Sequence, residues 1–224
     1  MEPQVANGIG WIAGACVLGF VITFIFSKLA KLSRNIFLIP YIVLISIFLY
    51  AFFTVNNIKI FELIVHNWIF GMIAAIIISI ILVKNVRQQP ASQNKKGIKF
   101  IWEIIWAGLI YGIIDGMFLS VMPVIAVSIA VSGSEWVSSI IGKIIIGIIG
   151  LLASIIVSIS YHIGYIEFQG SRLKFAMIGP GLITLAYIIP NNPLGSIISH
   201  PVMHIAAVLQ GPETTVQLPP HKNG

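Results

Sequence analysis

Charge is what this sequence has least of. Asp, Glu, Lys and Arg make up 9% of its 224 residues, against about 25% in a soluble domain, so a water-soluble globular protein is excluded. Hydrophobic residues reach 58%, and disorder, which needs low hydrophobicity and high charge, is excluded with it. A single cysteine, Cys16, permits no intramolecular disulfide and no cysteine-based metal cage. Acidic residues number only 7 against 13 Lys and Arg. That imbalance invites a nucleic-acid reading, which fails once the charges are placed along the chain.

What is abundant is apolar sequence in long runs. Seven stretches stand out, near residues 8–27, 36–54, 63–83, 100–131, 136–160, 175–190 and 194–209; most are near the ~20 apolar residues a membrane-crossing helix needs, the fourth is longer and the last two are shorter. The expected fold is all-α: a polytopic transmembrane bundle of about seven spans, with helices broken by Pro and Gly. Residues 1–210 form one integral membrane domain, and 211–224 a tail rich in turn formers.

Orientation follows from the basic residues. With the N-terminus outside, the inner loops and tail hold Lys28, Lys31, Arg34, Lys84, Arg87, Lys95, Lys96, Lys99, Arg172, Lys174 and Lys222, while the outer loops hold only Lys59. The basic excess therefore reports topology and contact with anionic lipid headgroups, with no nucleic acid implied. The alternation requires 100–131 to be one long element, bent near Pro123. The first span is not an ordinary signal peptide, because Glu2 precedes it and its positive charges follow it. The expected location is a plasma membrane, with the C-terminus in the cytoplasm.

Packing signals come from small residues. Gly108, Gly112, Gly116 and Ser120 recur at four-residue intervals, as do Gly150, Ser154, Ser158 and then His162. Such runs form shallow grooves that let helix backbones approach in lipid, and they predict that the fourth and fifth spans pack on each other. Pro123, Pro201 and Gly179-Pro180-Gly181 interrupt helices, freeing carbonyls that must face protein or water.

Ionisable groups inside apolar spans mark candidate function. These are Glu103, Asp115 and Lys143. Glu103 lies about 5 Å inside its span and also suits a solvated helix end; Asp115 lies about 24 Å along the same span, and Lys143 about 10 Å from the outer side. Asp115 and Lys143 are thus at comparable depth and suit an ion pair. His200 and His204, in SHPVMH, stand one turn apart, so both imidazoles share a face, the geometry for two ligands of one divalent metal such as zinc or for two groups on one water. Depth groups Asp115, His200 and His204 as that metal site. It separates them from His162, about 39 Å along its own span. His66 reads as interfacial, and His221 falls in the tail.

The segment NPLGSIISHPVMHIAAVL resembles the last motif of the CPBP family of intramembrane CAAX-processing and bacteriocin-processing proteases. WEIIWAGLIYG resembles that family's Glu-Glu-x-x-x-Arg helix, and IIVSISYHIGYIEFQG its Phe-x-x-x-His motif. The order is kept over about residues 100–210. The resemblance implies Glu103, His162, His200 and His204 as catalytic positions, with a carboxylate activating water. Trp102, Ala107 and Ser158 stand where the family has Glu, Arg and Phe.

Two functions remain open on these residues. One is an intramembrane hydrolase, in which carboxylate and histidines hold a water, with or without a metal, against a membrane-associated peptide or lipid. HxxxH with an acidic residue also resembles, more thinly, the zinc-binding ceramidase and adiponectin-receptor superfamily. The other is a non-catalytic scaffold, immunity-type or transport-related protein with a polar Asp/Lys/His core, which the replaced Glu and Arg favour. A haem protein is disfavoured, because two histidines on one side of one helix cannot both be axial ligands.

Overall fold

The computed structural model describes residues 2–92 and 97–217; Lys95, Lys96, His221 and Lys222 lie outside the described residues. The described chain is helical, without strands. The helices are α1 (Gln4–Leu29), α2 (Arg34–Val55), a short α3 (Ile60–Val65), α4 (Trp68–Arg87), α5 (Ile98–Val131), α6 (Ile140–Ile163), α7 (Leu173–Ile188) and α8 (Leu194–Gln210). Their outer faces are apolar: Ile140 and Ile189 are 79% and 78% exposed, which lipid accepts and water does not.

Five of these helices, α1, α2, α4, α5 and α6, are long and apolar enough to cross a membrane. The other two of the expected seven, α7 and α8, are apolar but shorter, with 16 and 17 residues, about 24–26 Å of rise against a hydrocarbon core of ~30 Å. The third span also starts later than its hydropathy indicates. Asn67 adopts a left-handed conformation, with φ of 55°, which Asn tolerates better than most residues; it separates α3 from α4.

α5 is the axis of the bundle. Its first half packs on α8, its second half on α1 and α6, while α4 backs α8 and α7 lies between α6 and α8. The expected accommodation near Pro123 takes the form of wide π-type turns at Ile104–Ile110 and Met117–Val121, the second ending just before Pro123. The small-residue runs do not meet as expected. Gly108, Gly112 and Gly116 of α5 form the seat of α8: a Cβ on Gly108 would lie 2.8 Å from Ile205 Cγ1, and one on Gly116 3.0 Å from His200 Cβ. The α6 run instead packs on the second half of α5, with Gly150 against Val124, so the fourth and fifth spans do pack on each other, but without the two runs meeting.

The two serines of that run have a second task. Pro123 has no N–H for the carbonyl of Leu119, and Pro180 has none for that of Ala176. Ser154 Oγ donates to Leu119 O at 2.6 Å, and Ser158 Oγ donates to Ala176 O at 2.7 Å. These two carbonyls are thus recaptured by α6. Ser154→Ala is expected to destabilise the protein by about 1–2 kcal/mol. Pro123→Ala in the same background should recover part of that loss by restoring the N–H. Thermal unfolding in detergent reads both, and strict additivity would show that the two residues do not share this carbonyl.

Residues 211–217 lie against the helix ends. Thr214 and Gln217 are buried, Arg34 Nη1 donates to Val216 O at 3.1 Å, and the Thr215 amide donates to Gln89 Oε1 at 2.7 Å. At the opposite end, Asn192 Nδ2 donates to the carbonyl of Ile64 at 2.8 Å and also reaches that of the exposed His66. Both ends of the bundle are tied by polar contacts between connections far apart in sequence.

Candidate metal centre

Asp115, from the middle of α5, is 2% exposed, and His200 and His204 of α8 are 2% and 3% exposed. They meet because Gly116, beside Asp115, and Gly112, one turn before it, let the α8 backbone lie directly on α5 at Ser196–Pro201. His200 Nε2 lies 3.3 Å and His204 Nε2 3.7 Å from Asp115 Oδ2. One ligand atom from each of the three residues lies within 4.8 Å of the other two. The imidazoles stack, with centroids 5.1 Å apart and planes 3° from parallel, as side chains one helical turn apart can.

Hydrogen bonding alone does not satisfy this group. The carboxylate accepts from the Tyr41 hydroxyl at Oδ1, and His200 can donate to Oδ2. His204 at 3.7 Å is beyond hydrogen-bond reach. His204 Nε2 and Nδ1, and His200 Nδ1, are buried without a partner, a costly arrangement at this depth. A tetrahedral ion with bonds of ~2.0–2.1 Å holds its ligand atoms ~3.4 Å apart, which is the size of the observed separations. Two imidazole nitrogens and a carboxylate oxygen fit a divalent metal with one coordination position left open. The rings are oriented by their mutual stacking and by the edge of Tyr111, whose centroid is 4.6 Å from that of His204.

Around this group lies a cavity of about 70 Å³, lined by Tyr111, Asp115, His162, Tyr165, Phe168, Met203, Thr215 and neighbouring residues, enough for a few water molecules. His162 is therefore brought to the same cavity as Asp115, His200 and His204, where depth along its own span separates it from them. The reason is that α5, with 34 residues, is about 51 Å long and overshoots its neighbours. Counting from its start overstates how far Asp115 lies from the end of α6. The hydroxyls of Tyr111 and Tyr161 are 2.7 Å apart, which fixes the register of α5 and α6 and sets His162 within about a turn of Asp115's level. His162 Nδ1 donates to Ser158 O at 2.7 Å, leaving Nε2 as its lone-pair nitrogen.

Two sequence-derived candidates fall elsewhere. Glu103 is half-buried, about 18 Å along α5 from Asp115, and does not line the cavity. Lys143 forms no ion pair with Asp115; it is exposed on α6, and Asp115 is engaged by Tyr41 and the histidines instead. Tyrosine is what the sequence reading overlooked. Of 6 tyrosines, Tyr41, Tyr111, Tyr161 and Tyr165 converge here, with the Tyr161 and Tyr165 hydroxyls 2.6 Å apart. The available signal was that a tyrosine inside an apolar span needs a partner for its hydroxyl. No family model matches the chain, and no curated protein or solved structure matches it either.

Proposed function

We propose that the protein is a multi-pass plasma-membrane hydrolase that holds a divalent metal, zinc by the chemistry of its donors, on Asp115, His200 and His204. The observation that carries this reading is the convergence of three buried ligand atoms, with His204 lacking any hydrogen-bond partner, on a water-sized cavity. The substrate class is a membrane-borne peptide or lipid carrying an amide or ester. In this reading α7 and α8 complete seven crossings, with the N-terminus outside, following the basic residues. It keeps the hydrolytic chemistry implied by the resemblance to the CPBP family, with Asp115 as the carboxylate in place of Glu103.

Bound in such a site, a divalent cation supplies Lewis acidity and lowers the pKa of water. The chain's own residues supply the rest. His162, with Nδ1–H committed to Ser158, offers Nε2 as general base. Tyr165, at the end of the Tyr111–Tyr161–Tyr165 hydroxyl chain, can donate to a developing oxyanion or leaving group. Tyr41 holds the outer oxygen of Asp115 and so orients the other towards the histidines, as supporting groups do in metal sites.

Metal content by mass spectrometry of detergent-purified protein is the test, with wild type beside His200→Ala and His204→Ala. Near-stoichiometric zinc in wild type, lost in both variants, is expected. No metal in wild type would remove the metal reading and leave a polar core. Zinc without turnover of membrane-anchored peptides or lipid amides and esters would remove the hydrolase.

A further inference from the structure

Lys143 has no part in the metal centre, and its surroundings give it another. It lines a groove of about 420 Å³ between α6 and α7 whose remaining walls are apolar, among them Gly147, Ile148, Leu151, Leu185 and Ile188. Gly147 lets the two walls approach at the floor of the groove: a Cβ there would sit 2.9 Å from Ile188 Cγ2. Lys143 stands about 5 Å from the start of α6, within reach of the headgroup layer for a side chain that extends towards water. Trp136, an interfacial aromatic in the preceding turn, is 41% exposed at the same end. Among the described residues Lys143 has no ion pair, whereas Lys59 is paired with Glu62 at 2.9 Å. A second groove of similar size, about 430 Å³ between α4 and α7, has no charged residue in its lining.

A single cation at the membrane surface, above an apolar channel running down the helix, has the polarity of a phospholipid. We propose that the α6–α7 groove binds an anionic phospholipid, with its phosphate at Lys143 and one acyl chain along Gly147, Ile148 and Leu151. Charge complementarity selects this occupant: an uncharged chain would fill the α4–α7 groove equally well, and only the α6–α7 groove offers a counter-charge for a headgroup.

The test is native mass spectrometry of the detergent-purified full chain, titrated with phosphatidylglycerol or phosphatidylcholine of identical acyl chains. Wild type is expected to bind phosphatidylglycerol about fivefold more tightly. Lys143→Gln should remove that preference while leaving phosphatidylcholine binding unchanged. Ile148→Trp, at a position 54% exposed and so free of core packing, should weaken binding of both lipids by filling the groove. Equal binding of the two lipids by wild type would overturn the proposal, as would a preference that survives Lys143→Gln. A dimer of the chain that Ile148→Trp dissociates would overturn it too, giving the groove to a second copy. None of these readouts depends on metal content, so this proposal and the metal centre stand or fall separately.

Discussion

Asp115→Asn is expected to abolish divalent-metal binding at the proposed site while leaving the helices assembled. The substitution keeps the shape of the side chain and an oxygen for the Tyr41 hydroxyl. It replaces the oxygen between His200 and His204, 3.3 and 3.7 Å away, with an amide that cannot serve as an anionic ligand. Losing an outer partner of a metal ligand costs 10–100-fold in affinity, and losing the ligand itself should cost about 100-fold or more, close to 2.7 kcal/mol. Zinc content and turnover should fall together, with thermal unfolding changed far less. Asp115→Ala is the harsher control, since it also strands the Tyr41 hydroxyl in an apolar setting. Glu103→Gln, outside the cavity, is expected to keep its metal. Full zinc occupancy in Asp115→Asn would mean that the carboxylate is no ligand.

Gly112→Ala is expected to be among the most damaging single-methyl changes in the chain. A Cβ at this position would fall on the Pro201 backbone, with Pro201 Cβ at 2.8 Å and its nitrogen at 2.9 Å. Neither helix can yield by rotating a side chain, so α5 and α8 must separate. Overpacking of this kind costs about 1–3 kcal/mol and sometimes more, or roughly 4–8 °C in Tm for a 2 kcal/mol loss in a chain of this size. Pro201 stands directly after His200 in the turn that separates it from His204, so the same displacement should loosen the metal centre, and zinc affinity should fall with Tm. Gly108→Ala should be milder, because its Cβ would meet the movable Ile205 Cγ1. A Tm for Gly112→Ala equal to wild type would contradict the close seating of α8 on α5.

These two residues mark what could and could not be read from the chain. Asp115, His200 and His204 were legible together because each is an ionisable group in an apolar span, and depth grouped them correctly. The glycine run of α5 was equally visible, but not its partner. α1, α2, α4 and the second half of α5 are apolar almost all round, so no polar face on them says which side meets which neighbour. The same gap produced the expected Asp115–Lys143 pair, since comparable depth does not put two groups on facing sides. His162 was misplaced for another reason: each depth was counted from the end of its own span, and α5 is longer than its neighbours. The tyrosine hydroxyls that link α2, α5 and α6 follow from inter-helix register, which no single helix encodes.

The Asp115–His200–His204 group is also assembled in stages as the chain is made. Its carboxylate arrives with α5, and both histidines arrive only with α8, after α6 and α7 have been laid down. Until then Asp115 has the Tyr41 hydroxyl but no cation, and a carboxylate left so in hydrocarbon is costly. α5 therefore carries an uncompensated carboxylate until α8 packs on it. The strap at residues 211–217, which contributes Thr215 and Val216 to the cavity wall, comes after α8 and covers the site behind the histidines.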